Sequence, residues 1–219
     1  YFKIDEMKPK LADLRKSYEK GTLDLHHIDD DPLQLFQTWF DEAKETESID
    51  EANAMSLTTL GVDGYPRARV VLLKDFSEEG FVFFTNYKSV KGKSLLKYPK
   101  VGLSFYWPTL ERQIIIKGLA EKLSNEKSDQ YFKSRPRGSQ LGAHVSPQSE
   151  VIPDRIFLED LQASLTKKFE HTEIPRPAYW GGILVSPHEI EFWQGRPNRL
   201  HDRISVSYTH LRAHETEAY

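Results

Sequence analysis

Cysteine is absent from the 219 residues, which excludes disulfides, thiolate metal sites and cysteine nucleophiles at one stroke. That absence fits a reducing compartment. No apolar run approaches the ~20 residues needed to cross a bilayer, and no signal-peptide pattern opens the chain. The expectation is a soluble, cytoplasmic protein. A surplus of positive charge is also missing: 30 Lys and Arg stand against 33 Asp and Glu, a net charge of −3. A general nucleic-acid binder neutralises phosphates with a basic face, so this balance argues against one. Any anion site must be assembled locally. There is no His-Glu-x-x-His, no Gly-x-Gly-x-x-Gly, no P-loop, and no internal repeat or low-complexity tract. The run His26-His27-Ile28-Asp29-Asp30-Asp31 looks metal-like, but such runs before a helix cap are ordinarily solvated, and no metal is expected.

The length suits one domain with helical decoration. Lys10 to Lys20 reads as a short polar helix closed by Gly21. Asp31-Pro32 is an N-cap followed by proline at the first helical position, and Leu33, Leu35, Phe36, Trp39, Phe40 and Ala43 mark an amphipathic helix. The period then changes. Ala54–Leu60 and Arg67–Lys74 read as strands around a turn at Gly61-Val62-Asp63-Gly64. Phe81–Thr85, Val101–Trp107 and Arg112–Leu123 give three more, and Gly181–Val185 with Glu189–Gln194 suggests a last hairpin across Ser186-Pro187. Helical inserts are expected at Ser89–Lys97, Ser124–Ser134 and Pro153–Phe169. Val70-Val71-Leu72-Leu73 and Ile114-Ile115-Ile116 are continuously apolar, which suggests strands covered on both faces. A small barrel with helices or a second subunit outside meets that demand.

Four segments concentrate chemistry. In Glu191-Phe192-Trp193-Gln194-Gly195-Arg196-Pro197-Asn198-Arg199-Leu200-His201-Asp202-Arg203, Arg199, His201 and Arg203 recur at alternate positions, which share a face in an extended segment. Two guanidiniums and an imidazole beside Trp193 suit a flat, anionic ligand. Arg69 and Lys74 place cations at the two ends of an apolar strand, though solvated strand ends are the more ordinary explanation. Tyr131 and Arg135 lie four apart on one helix face, with Pro136 ending the helix and Ser139 in a following turn. A phenol, a guanidinium and a hydroxyl there suit a phosphate dianion; a basic helix C-terminus complementing its dipole accounts for Arg135 alone. Finally, Phe84-Thr85-Asn86-Tyr87-Lys88-Ser89-Val90-Lys91 runs a strand into a Ser-capped helix start. This is either a second anion site or an ordinary capped surface helix.

Taken together, Arg-Val-Val-Leu-Leu-Lys (69–74), Phe-Thr-Asn (84–86), Glu-Arg-Gln (111–113), Tyr-Phe-x-Ser-Arg-Pro-Arg-x-Ser-Gln (131–140), Gln-Ser (148–149) and Phe-Trp-Gln-Gly…Arg-Leu-His-Asp-Arg (192–203) resemble the pyridoxine/pyridoxamine 5′-phosphate oxidase family. The resemblance runs from about Leu11 to Arg203. It implies a mainly β fold with helical decoration (α+β), an FMN-binding split β-barrel that forms a homodimer with FMN at the subunit interface. It implies oxidation of pyridoxine 5′-phosphate and pyridoxamine 5′-phosphate by O₂ to pyridoxal 5′-phosphate, with release of hydrogen peroxide. Carried over by position, the FMN contacts are Arg69, Val70, Leu72, Lys74, Phe84, Thr85, Lys91, Gln113, Gln148, Ser149, Trp193 and Arg203. The substrate contacts are Arg15, Tyr18, Lys74, Tyr131, Arg135, Ser139, Arg199 and His201, with Arg199 and His201 the catalytic pair and Arg15 and Tyr18 part of a lid. The alternatives are a non-catalytic FMN or pyridoxal-phosphate binder on the same barrel, and a flavin reductase.

Two departures accompany the resemblance. Val90 stands where the family usually has an arginine. Beyond Arg203 the sequence lacks the family's closing strand and Trp-containing end. The domain is therefore expected over 1–204, with N-terminal helices and lid in 1–50 and the barrel in 51–204. Residues 205–219 are expected to be a foreign or disordered tail.

Overall fold

A computed structural model describes residues 11–14, 16–24, 31–209 and 212–218, with side chains up to 208. Arg15 and the His26–Asp30 part of the metal-like run fall outside the described residues. The first helix, α1 (Pro32–Glu45), starts as its sequence dictates: the Asp31 side chain accepts from Leu33 N, and Pro32 occupies the first turn, where no N–H is needed. Its apolar stripe delivers Phe36 and Trp39 to the core. The Phe36 ring meets Phe76, Phe81 and Phe105 edge-on at 4.8, 5.0 and 5.4 Å. Fully burying such a ring stabilises the fold by about 1.5–3 kcal/mol, so α1 plugs the barrel rather than decorating it.

Nine strands form one antiparallel sheet: β1 (Ala54–Leu60), β2 (Pro66–Leu72), β3 (Asp75–Ser77), β4 (Gly80–Asn86), β5 (Lys100–Trp107), β6 (Arg112–Lys122), β7 (Trp180–Gln194), β8 (Asp202–Thr209) and β9 (Arg212–Ala218). The spatial order is β2-β1-β5-β6-β7-β4-β3, with β8 on β7 and β9 on β8. β2 also approaches β4, so the sheet curls into a split barrel. Strict alternation along β5 sends Val101, Leu103, Phe105 and Trp107 inward. The helices α2 (Val90–Lys97), α3 (Asn125–Ser134), α4 (Arg137–Val145) and α5 (Arg155–Lys168) lie between strands. A second apolar cluster of Phe132, Leu141, Phe169, Ile174 and Trp180 joins α3 and α4 to the start of β7.

Several expectations are corrected. Among the described residues of the first segment only Leu11–Asp13 is helical, as a single 3₁₀ turn; Lys16, Glu19 and Lys20 are instead bonded to the barrel. The expected hairpin across Ser186-Pro187 is one continuous strand, β7. Its pairing with β6 steps from Lys117↔Glu189 to Gly118↔Pro187, leaving His188 as an extra residue, and such a bulge accommodates a proline without breaking the strand. Pro136 ends α3, as expected, but the turn expected at Ser139 is helical: Pro136 is also the N-cap of α4, and Ser139 lies in its first turn.

The tail is the largest correction. β8 continues through Thr209 and β9 pairs with it. Ile204, Val206 and Tyr208 alternate with Ser205 and Ser207. Opposite Phe192 and Ile190 on β7, Ile204 and Val206 extend the core face, with Ile204 buried and Tyr208 packed against the main cluster. Burial of Ile204, together with the ladder pairing to β7, supplies what a disordered tail would lack.

Candidate functional site

The expected site residues gather in two places. The first lies where β2, β4 and the start of α2 meet. Alternation along β2 sets Arg69 opposite Leu57 and Val71 opposite Met55, facing in, while Val70 faces out at 70% exposure. The Arg69 guanidinium donates to Thr59 Oγ1 at 2.7 Å and Leu57 O at 3.2 Å. Lys91, in the first turn of α2, donates to Gln148 Oε1 at 2.8 Å. Burial, and then the Arg69 charge, lowers the Lys91 pKa from its usual 10.5; burial likewise lowers that of Arg69, with Arg67 adding to it. Among the described residues neither cation has a carboxylate within 4 Å. Two partly buried cations without a carboxylate partner among the described residues create a positive potential suited to a phosphate dianion. Thr85 Oγ1, on β4, is buried without a hydrogen-bond partner among the described residues. The fully buried Ser89 caps α2 by accepting from Gly92 N at 3.1 Å. Ser149 holds a left-handed φ of 69° and is exposed beside Gln148.

Adjoining this, Phe84 stacks on Tyr131 with centroids 3.8 Å apart and on Trp180 at 5.4 Å. The Arg135 guanidinium lies 4.5 Å from the Trp180 ring centre, and its Nη1 is buried with no partner among the described residues. Burial raises the Tyr131 pKa against the Arg135 charge, which lowers it; burial also lowers that of Arg135. Ser139 is exposed in the first turn of α4. Lys74 lies apart from the ring stack, on a cavity of about 490 Å³ with Lys44, Asp50 and Glu51.

The second place is the far end of β7. Gln113 on β6, Trp193 on β7 and Arg203 on β8 are directly paired, so three expected residues from three strands form one row on the outer face. Beside it lies a cavity of about 630 Å³ lined by Tyr18, Trp193, Arg196, Asn198, Arg199 and His201. The His201 ring is 4.7 Å from Trp193 and 5.6 Å from Tyr18. Arg196 N donates to His201 Nδ1 at 3.0 Å, so the neutral imidazole carries its proton on Nε2. Arg199, His201 and Arg203 do not share one extended face as the spacing suggests. Arg199 closes a 3₁₀ turn at Pro197–Arg199, where Asn198 and Arg199 adopt φ of 56° and 64°. Arg203 lies within β8, 3.6 Å from Glu191 Oε1. The turn nonetheless leaves Arg199 and His201 on one cavity wall. Left-handed backbone at an arginine costs on the order of 1–3 kcal/mol and gathers at functional sites.

Sequence reasoning did not single out Glu111, Trp180 or Gly195. Glu111 is 1% exposed and accepts from Glu19 N at 2.7 Å and Lys20 N at 3.0 Å. Burial alone would raise its pKa, but the Lys20 N–H, the Lys16 ammonium and the Glu19 N–H outweigh it and lower the value. Its only signal was its place in the Glu-Arg-Gln motif. A Cβ on Gly195 would come within 2.8 Å of the Tyr18 ring.

The two places are far apart in one chain. Thr85 pairs with Gly181 and Gln113 with Trp193; along β7, at ~3.3 Å per residue, that separation is about 40 Å.

Comparison with known proteins accounts for this layout. Residues 41–162 match the sequence profile of pyridoxamine 5′-phosphate oxidase, and residues 180–215 match that of the pyridoxine 5′-phosphate oxidase C-terminal dimerisation region. This chain belongs to the pyridoxine/pyridoxamine 5′-phosphate oxidase family. It is 58% identical over 194 residues to the Flavobacterium johnsoniae pyridoxine/pyridoxamine 5′-phosphate oxidase, covering 89% of this chain and 91% of that one. With the Synechocystis protein of the same name, identity is 52% over 197 residues, covering 90% and 92%. Among solved structures, PhzG from Burkholderia lata, in complex with tetrahydrophenazine-1-carboxylic acid, superposes with a TM-score of 0.83 at 26% identity over 90% of this chain and 97% of that one. An oxidase-related, FMN-binding protein from Nostoc punctiforme shares the fold, with a TM-score of 0.68 at 15% identity over 86% of this chain and 97% of that one. The oxidase-family dimerisation profile begins at the first residue of β7 and extends past Arg203 into β9, so the strands that carry Trp193 and Arg203 belong to the dimerising part of the fold.

Proposed function

We propose that this protein oxidises pyridoxine 5′-phosphate and pyridoxamine 5′-phosphate with O₂ to pyridoxal 5′-phosphate, releasing hydrogen peroxide, and ammonia from the amine, with FMN as cofactor. The observation that carries this reading is the partition of cations. One set, Arg69 with Lys91, suits a flavin phosphate; a second, Arg135 beside Tyr131, suits a substrate phosphate; a third, Arg199 with His201, suits a pyridine ring. A plain flavin binder needs only the first.

The residues fit an FMN. Among the described residues Arg69 and Lys91 have no anionic partner and Thr85 Oγ1 has no partner at all, all at one strand–helix junction. Gln113, Trp193 and Arg203 stand too far along β7 to reach a flavin held there by the same chain. They would meet it from a second copy, giving a homodimer with two composite sites at its interface. The outward-facing Val70 and Leu72 on β2 are the apolar surface such a copy would cover. FMN held by Arg69, Lys91 and Thr85 would supply the two-electron redox chemistry of the oxidation, with O₂ as the final acceptor.

The chain's own residues do the rest. Tyr131, Arg135 and Ser139 hold the substrate phosphate, fixing C4′ at a set distance from that anchor. Binding energy gained at the remote phosphate is used to orient the reacting carbon. Arg199 stabilises negative charge developing toward the pyridine substituents. His201, fixed by Arg196 N, presents Nε2–H to the ring and its oxygen substituent. Tyr18, packed on Trp193 and His201, closes the cavity against water. A cysteine-free chain suits the cytoplasm. Anaerobic addition of pyridoxine 5′-phosphate to the yellow holoprotein tests the reading: bleaching of the flavin absorbance with aldehyde formation is expected, and an unchanged spectrum overturns it.

A further inference from the structure

We propose that Glu111 and Asp202 are positioning residues that clamp residues 16–24 across the end of the barrel, seating Tyr18 against Trp193 and His201. What the cavity holds rests on the oxidase reading above; the clamp stands on the geometry. Beyond the 3₁₀ turn at Leu11–Asp13, the described part of this segment has no helix or strand of its own. Its backbone N–H groups are met by carboxylates of the barrel. At the upstream end, Glu111 Oε2 takes both Glu19 N and Lys20 N, and Oε1 lies 3.3 Å from Lys16 Nζ. Glu111 does this from a turn where its own φ is 58°, a conformation that persists only where the surroundings over-determine it. At the downstream end, Asp202 Oδ2 accepts from Leu23 N at 3.0 Å. Arg196 Nη1 lies 3.5 Å from that oxygen and 3.4 Å from Gly21 O.

Between these points the segment crosses the end of β7 in close contact. A Cβ on Gly21 would come within 2.8 Å of Gln194 Oε1, and a Cβ on Gly195 would come within 2.8 Å of the Tyr18 ring. Leu23 packs against the main core. Bonds from a carboxylate to backbone N–H groups are charge-assisted and directional, so the two acids fix where the crossing lies and hence where the Tyr18 ring points. A segment held at both ends excludes water from the cavity and slows release of what lies beneath. Its effect therefore falls on retention of the substrate more than on the hydride step.

Glu111→Gln in the full-length holoprotein tests the clamp, because it keeps the side-chain length while removing the charge. Trypsin can cut after Lys16 and Lys20. In the wild type these bonds should resist, and in Glu111→Gln or Asp202→Asn they should be cut roughly 10-fold faster, with flavin content and melting temperature held. This readout needs no turnover, so it separates failure of the clamp from failure of the oxidase reading. In kinetics, Glu111→Gln should raise KM for pyridoxine 5′-phosphate about 10-fold and change kcat less. Combined with Tyr18→Ala it should add little beyond either substitution alone, since both act through one contact. Lys16→Met, which removes only an exposed ammonium, should loosen the segment in the same direction and reports on it should Glu111→Gln lose its fold. Cleavage at the wild-type rate in both acid variants, or fully multiplicative effects of Glu111→Gln and Tyr18→Ala, would overturn the proposal.

Discussion

Lys91 and Arg69 converge from a helix and a strand on one spot, and the charge of Arg69 lowers the pKa of Lys91. The lysine is held by Gln148 and the arginine by Thr59, which leaves both charges for an incoming anion. Because the folded pKa of Lys91 is depressed below 10.5, its ammonium is lost at a lower pH than that of a free lysine. The affinity for FMN should accordingly fall as pH rises through that lowered value, while the flavin-free protein, relieved of a buried charge, gains stability over the same window. Fluorescence titration of FMN from pH 7 upward checks this. Lys91→Met should bind FMN on the order of 10- to 100-fold more weakly and show a flat profile in that range.

Arg199→Ala should impair turnover far more than flavin retention, because Arg199 lines the Tyr18–His201 cavity and not the Arg69–Lys91 cradle. Losing a cationic contact to a charged ligand costs roughly 2–5 kcal/mol, or about 30- to several-thousand-fold in kcat/KM. Steady-state kinetics beside the flavin-to-protein absorbance ratio separates the two effects. A yellow variant with normal turnover contradicts the assignment.

The proposed composite sites would make complementation possible. Arg69→Ala disables the first half-site and Arg203→Ala the second, and each variant alone should be nearly inactive. Mixed dimers rebuild one intact site from the wild-type halves, so random mixing should restore about a quarter of wild-type activity. Unfolding and refolding the two variants together, then assaying, provides the check.

Much of this was legible in the sequence, and the exceptions share physical causes. The Asp31-Pro32 cap, the Ala54–Leu60 strand and the Gly61–Gly64 turn depend on local chemistry, and each is found in place. The motif residues Arg69, Lys91 and Gln148 are brought together, as are Gln113, Trp193 and Arg203, although no spacing rule links residues so far apart. What local reasoning missed was decided by distant partners. Pro187 reads as a break until β6 supplies a bulge. Arg199 reads as part of a strand until the left-handed turn at Asn198 lifts it out. Glu111 is only a member of the Glu-Arg-Gln motif until the N-terminal segment folds onto it.

The end of the chain yields a prediction opposite to the one its composition suggests. Ile204 is 3% exposed and faces Phe192 across β7–β8. Ile204→Ala should cost about 2–5 kcal/mol, and melting temperature should fall by roughly 2–4 °C for each kcal/mol. Deleting 205–219 should also lower it by several degrees and, by leaving the 189–191 edge of β7 unpaired, promote association. Differential scanning calorimetry with light scattering distinguishes this from a dispensable tail.

The most direct measurement is product stoichiometry under air. Purified holoprotein given pyridoxine 5′-phosphate should form pyridoxal 5′-phosphate and hydrogen peroxide in equal amounts while consuming equal O₂. Unphosphorylated pyridoxine should be a poor substrate, because Arg135 and its neighbours then have no anion to hold. Arg135→Ala should erase most of that preference by raising KM for the phosphorylated substrate. Absence of peroxide and aldehyde from a fully flavin-loaded preparation, or equal kcat/KM for pyridoxine and its phosphate, would contradict the account.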